Sequence, residues 1–124
     1  MKGVAQIRDS HPITLDNSEP EPDIAIVRLP ETIYRNHHPY SQDIYWLIEV
    51  SNKTLKKDLE EKIITYARNR IPEYWVIDLK NKKLIVHTEP HNSRYLQIIE
   101  FKSGTITSQA FPKIKINLEK LLLY

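Results

Sequence analysis

Glu49 stands in the run Asp43-Ile44-Tyr45-Trp46-Leu47-Ile48-Glu49-Val50, whose apolar residues would cover both faces of a strand. A buried carboxylate costs several kcal/mol unless it is paired, protonated or bound to a metal. Asp23 follows Pro22 and opens a second apolar run, Asp23-Ile24-Ala25-Ile26-Val27. If these runs are neighbouring strands, the two carboxylates converge at one edge of a sheet. Two convergent carboxylates with room for water suit Mg2+ (or Mn2+), which keeps several waters and takes up phosphate oxygens. Such an ion can polarise a phosphodiester and activate an attacking water. The plainer alternative pairs Glu49 with Lys53 or Lys56 and leaves Asp23 hydrogen-bonded to local amides. Spacing alone leaves both open.

The remaining candidates are weaker. His37 and His38 sit on a Pro-flanked loop, but no second ligand cluster has spacing to match them. His87 falls in a strand and His91 in a polar loop, positions that read as structural or solvated. Ser41 and Ser51 lack a recognisable base and oxyanion arrangement, so serine hydrolysis is not indicated. Tyr45, Trp46, Tyr74 and Trp75 have the spacing of strand and core residues. Lys80, Lys82 and Lys83 form a turn cluster that either meets phosphate or is simply solvated.

The elements that must position these groups follow from periodicity. Residues 54–70 form the one convincing helix, with Leu55, Leu59, Ile63, Tyr66 and Ala67 as its apolar stripe. Asn52 or Thr54 can cap it, Asp58, Glu60 and Glu61 suit its early turns, and Pro72 stops it. Glu73–Asp78 is a third strand, Lys83–Thr88 and Tyr95–Phe101 a hairpin, and Ile114–Ile116 leads into a short helix over Asn117–Leu123. Residues 1–22, rich in proline, read as extended and weakly structured, and 30–42 as a polar loop. Strand–helix–strand implies a parallel crossover from 44–50 to 73–78, and the hairpins add antiparallel neighbours. The expected fold class is therefore α/β of the α+β mixed-sheet kind, with Leu55, Leu59, Ile63 and Ala67 packed on strands 24–27, 44–50 and 74–77.

Composition narrows the chemistry further. The 124 residues fit one domain, and the 40% apolar and 27% charged content excludes both a disordered tail and a membrane protein. There is no cysteine, which excludes disulfide scaffolds and thiol nucleophiles and suits a reducing, cytoplasmic setting. The two glycines are Gly3 and Gly104, so neither a GxGxxG turn nor a P-loop can be written. Residues 1–50 carry a net charge of −4 and residues 51–124 one of +6. An acidic half against a basic half suits carboxylates gathering metal beside lysines meeting phosphate, or merely differently solvated faces.

Read in order, Glu21-Pro22-Asp23-Ile24-Ala25-Ile26-Val27, then Trp46-Leu47-Ile48-Glu49-Val50-Ser51-Asn52-Lys53-Thr54, then Asp58, Lys62 and Tyr66, then Ile71-Pro72-Glu73-Tyr74-Trp75-Val76-Ile77-Asp78 form a recognisable series. It resembles the Uma-type family of putative restriction endonucleases, a branch of the PD-(D/E)XK nuclease superfamily, over about residues 19–124. The resemblance implies a restriction-endonuclease-like fold, with Asp23 and Glu49 as metal ligands on adjacent strands. The superfamily's usual lysine two residues after the glutamate is Ser51 here, and a serine hydroxyl supplies no positive charge to a developing phosphorane. The resemblance points instead to Lys62 on the following helix. Lys62 lies about 12 Å along the helix axis from Thr54, so it must reach back; an Asp58–Lys62 pair worth about 0.3–0.5 kcal/mol is its other use.

The family ordinarily carries a helical and strand segment, with another acidic residue, ahead of the PD motif. Only 22 residues precede Asp23, so the expectation is an extended segment 1–22 before a domain at 23–124 that is shortened at its front. The expected activity is Mg2+-dependent cleavage of DNA phosphodiesters, with Asp23 and Glu49 holding the ion and Lys62 stabilising the transition state. The alternative is an inactive remnant that binds nucleic acid or oligomerises. DNA is the expected partner, a homodimer is compatible with the chain, and no membrane partner is expected.

Overall fold

A computed structural model describes residues 3–52 and 56–123, and of Lys56 and Lys57 the backbone alone. Its strands are β1 (Gln6–Asp9), β2 (Ile24–Val27), β3 (Ile44–Ser51), β4 (Glu73–Asp78), β5 (Lys83–His91) and β6 (Arg94–Phe101), with helix α1 (Lys56–Arg68) between β3 and β4. They form one six-stranded sheet in chain order. Only β3 and β4 are parallel, as the crossover through α1 requires; every other neighbouring pair is antiparallel. A two-stranded ribbon, β7 (Thr105–Ile106) with β8 (Ile116–Asn117), and helix α2 (Leu118–Leu121) complete the chain.

Both faces of the sheet are covered, which is why β3 and β4 read as continuous apolar runs rather than as alternation. On the α1 face, Ala25, Leu47, Tyr74 and Val76 meet Tyr66 and Ala67, and Leu59 and Ile63 pack at the margin. Thr54 as a cap, Leu55 in the stripe and the pairing of Glu49 with Lys53 or Lys56 lie outside the described residues. On the other face, Trp46, Ile48, Trp75 and Ile77 meet Ile106, Leu118 and Leu122 of the C-terminal segment. Each fully buried side chain of this size contributes about 1.5–3 kcal/mol.

Helix α1 ends in a Schellman arrangement. Ile71 N donates to Tyr66 O and Arg70 N to Ala67 O, with Arg70 in the left-handed region at φ 58°. Ile71 is fully buried, and Pro72 after it prevents further helix.

Residues 1–22 depart from expectation. Residues 3–22 are largely extended, but Gln6–Asp9 pair antiparallel with β2, and Ile13 and Leu15 are buried in the α1-face core. This segment is thus built into the same sheet and core as residues 23 onward, with no separation at residue 23. A four-residue edge strand, Gln-Ile-Arg-Asp, is too short and too polar to display a readable period.

Candidate active site

Asp23 and Glu49 reach the same face of the sheet through register. Ile24 pairs with Ile48 in the antiparallel β2–β3 ladder, so one step further sets Asp23 opposite Glu49. Directly opposed residues share a face, with Cβ atoms about 5 Å apart. The Asp23 carboxylate is held by the neighbouring strand: Val50 N donates to its Oδ2 at 2.7 Å. Among the described residues its Oδ1 takes no hydrogen bond.

Glu49 is 5% exposed and points toward α1. Lys62 Nζ donates to its Oε2 at 3.3 Å and the Tyr66 hydroxyl to its Oε1 at 3.2 Å. The distance along the helix, which made Lys62 look remote, is cancelled by direction. In a parallel strand–helix–strand unit the helix runs back along the strand it follows. Lys62 is about 9 Å down α1 from Lys56, and Glu49 about 7 Å back along β3 from Ser51, so the two arrive level. Lys62 is paired with Glu49, while Asp58 is exposed beside it.

The electrostatics follow from burial. Desolvation pushes the Glu49 carboxyl above the usual range, the Lys62 charge and the two hydrogen bonds pull it down, and the Asp23 charge pushes it further up. Burial, reinforced by Glu49, also raises the Tyr66 phenol well above its ordinary value, so it remains a protonated donor. Glu49 and Asp58 line a cavity of about 190 Å3 together with Val50, Ser51, Asn52, Leu59 and Lys62, and with Asp23 opposite Glu49 the carboxylates outnumber the one ammonium. An all-oxygen donor set in which carboxylates outnumber cations fits a hard divalent cation that retains waters. Among the described residues no three His, Cys, Asp or Glu side chains gather as a metal cluster, so such an ion would rest on two carboxylates.

Tyr66 reads in the sequence both as a member of the apolar stripe and as the end of the Asp58–Lys62–Tyr66 series, with no role assigned to its hydroxyl. Its signal was the Asp58–Lys62–Tyr66 spacing of i, i+4, i+8, which sets a hydroxyl next to the lysine at the core boundary. The other candidates stand apart from the site. His37 stacks on Tyr40 at 4.2 Å, and His38 approaches Glu19 at 3.8 Å. His87 is buried, its Nδ1 2.9 Å from Tyr74 O, and burial lowers its pKa. His91 lines a separate cavity with Arg68 and Arg70. Lys83 pairs with Glu100 at 3.1 Å, and Trp46 and Trp75 pack together in the opposite core. Ser51 lies at the mouth of the site and, among the described residues, has no basic partner for its hydroxyl.

No helix among the described residues is long and apolar enough to cross a membrane. No curated protein matches the chain in sequence. Among solved structures it resembles the crystal structure of a putative nuclease belonging to DUF820 from Anabaena variabilis ATCC 29413. The TM-score is 0.73 at 15% identity over 97% of this chain and 69% of that one, which establishes a restriction-endonuclease-like fold. The model of the family Uma2, described as "Putative restriction endonuclease", matches residues 2–119. With nearly the whole of its length covered, the chain belongs to the Uma2 family.

Proposed function

We propose that this protein is an endonuclease that hydrolyses DNA phosphodiester bonds with Mg2+ or Mn2+, using Asp23, Glu49 and Lys62. The observation that carries the reading is the meeting of Lys62 with a buried glutamate that lies opposite a second carboxylate on the next strand. A bound divalent ion supplies Lewis acidity toward a phosphodiester oxygen and acidifies a water. Asp23 and Glu49 would hold it. The Val50 amide keeps Asp23 aimed, and Tyr66, fixed in the core, keeps Glu49 from rotating away. Lys62, half-exposed at the cavity, sets a positive charge where negative charge grows on the phosphoryl oxygens. It takes the part that Ser51 cannot. The +6 net charge of residues 51–124 favours approach of a polyanion.

The inactive nucleic-acid-binding remnant is favoured by a different observation: both Glu49 oxygens already accept protein donors. Plasmid nicking with Mg2+ or Mn2+ separates the two. Nicking by the wild type that is abolished in Asp23→Ala is the expected result. DNA binding without nicking would favour the remnant, and nicking indifferent to Asp23→Ala would remove the site assignment.

A further inference from the structure

Cavities of opposite character lie along α1. Beside its first half, the cavity at Glu49 holds Glu49 and Asp58, and a neighbouring one holds Asp58 and Glu61. At its C-terminal end a cavity of about 580 Å3 is lined by Arg68, Arg70, Pro90, His91, Asn92 and Ser93, with no carboxylate among them. The two walls of this cavity are tied together. The Tyr95 hydroxyl, near the start of β6, donates to the carbonyl of Ile71, the residue after Arg70, at 2.8 Å. Pairing of His91 with Arg94 closes the Asn92–Ser93 turn. Asp16 holds Arg68 through Nε at 3.1 Å and Nη2 at 3.4 Å, and among the described residues Nη1 takes no partner. Arg70, His91, Asn92 and Ser93 are exposed, and among the described residues their side chains make no hydrogen bond to protein.

Arg70 occupies a position that suits glycine. It follows the cap of the Schellman turn at φ 58°, where an arginine costs stability that glycine would not. What the arginine adds there is a guanidinium at the cavity. Two guanidinium forks with an imidazole, an amide and a hydroxyl form a donor set suited to phosphate oxygens. Position selects the kind of phosphate. Arg68 lies about 9 Å beyond Lys62 along α1, and the β5–β6 turn about 12 Å across the sheet from β3. The cavity is thus about 15 Å from Glu49. A strand with a phosphate at about every 3.4 Å of duplex axis can occupy both places at once, and a lone phosphate cannot.

We infer that this cavity is a second DNA-backbone site, holding a phosphate several base pairs from the one at Glu49, with Arg70 and Arg68 as its cations. It rests on the reading of duplex DNA as substrate, but not on cleavage.

Fluorescence anisotropy of a labelled DNA duplex in EDTA reads binding without cleavage. Arg70→Gly should weaken binding about tenfold whatever the sequence, and lower the slope of log K against log salt by about one. Its melting temperature should equal or exceed that of wild type, since glycine suits φ 58°. His91→Ala should weaken binding severalfold. Lys113→Ala, removing one charge at an exposed position on a different cavity, should change affinity and slope far less. Equal effects of Arg70→Gly and Lys113→Ala, or none from Arg70→Gly and His91→Ala, overturn the inference. So does a wild type that does not bind the duplex, or one from which inorganic phosphate displaces DNA better than chloride at matched ionic strength. Plasmid nicking separates this inference from the nuclease reading. A protein that does not nick but loses affinity in Arg70→Gly keeps this site and removes the cleavage. One that nicks but binds equally well as Arg70→Gly and His91→Ala removes this site alone.

Discussion

Two glutamates are buried in this sheet, on neighbouring parallel strands and on opposite faces. Glu73, 2% exposed, faces the C-terminal segment: its Oε2 accepts from Trp75 Nε1 at 2.6 Å and its Oε1 from Gln109 N at 2.9 Å. Glu49 faces α1, where its donors are an ammonium and a phenol, with a second carboxylate opposite it. Burial raises both carboxyls above the ordinary range. Their surroundings differ in kind. Glu73 is closed by two N–H groups that can only donate, and it pins residue 109 to the sheet. Glu49 is held by a lysine and a hydroxyl, opens to a cavity and retains an unbalanced negative charge. Burial alone marks neither as functional; the nature of the partners separates them.

The largest expected contrast is in activity. Glu49→Gln and Lys62→Ala should each lower the nicking rate by about a thousandfold, the scale of losing a group that meets transition-state charge. Glu73→Gln should leave the rate of the folded protein within severalfold. Rates measured at saturating Mg2+ test this, and equal losses from both glutamates would erase the distinction.

Metal linkage comes next. Mg2+ at a hundredfold excess over Kd should stabilise the wild type and Glu73→Gln by about 2.7 kcal/mol, and Glu49→Gln by much less. Thermal melts in EDTA and in Mg2+ read this directly, and a wild type blind to Mg2+ would count against the metal site.

The same two isosteric changes should differ in stability without metal. In Glu73→Gln the new NH2 must face Trp75 Nε1–H or Gln109 N–H, donor against donor, at a cost of about 1–3 kcal/mol. In Glu49→Gln the amide oxygen can accept from Lys62 while its NH2 donates to the Tyr66 oxygen, so no donor faces a donor and only the rotatable Tyr66 O–H loses its acceptor. A raised carboxyl pKa also means that ionised Glu49 opposes folding once pH rises above about 4.3 and through the folded-state value. Metal-free Glu49→Gln should therefore be as stable as wild type, or up to about 1 kcal/mol more so. Urea unfolding at neutral pH compares the pair, and a clear loss in Glu49→Gln would make its lysine pair structural.

The smallest effect comes from His87, on β5. Its pKa is lowered by burial, so the unfolded chain binds the proton more readily. The stability this gives is complete above about pH 6.5 and is lost as pH falls through the folded-state value. Stability measured across that window should fall with acid in the wild type and less steeply in His87→Phe.

Much of this arrangement was legible along the chain. The run from Ile44 to Val50 can only be a doubly covered strand, Leu59, Ile63 and Ala67 show a helical period, and Pro72 marks where the helix must stop. A carboxylate inside such a strand announces that something must compensate it, whereas Asp23 only opens its strand and stands out through the PD motif of the family resemblance. Glu73 carries an equal burden and was passed over, because it begins its strand, where a carboxylate ordinarily meets water. The segment ahead of Asp23 was hidden as well: Ile13 and Leu15 are isolated apolar residues among prolines, and their burial depends on a chain reversal closed by Ile13 N to Pro20 O.

By itself, then, the sequence determined that Glu49 conflicts with its strand, and the family resemblance marked Ser51 as standing where a positive charge would be expected. Local pattern reports the first because periodicity and desolvation act residue by residue. Which partners resolve that conflict was decided by tertiary structure alone. Lys62 meets Glu49 because α1 runs back along β3, and Asp23 faces it because the β2–β3 register sets 24 against 48. Direction and register are properties of pairs of elements far apart in the chain. No spacing within either element encodes them.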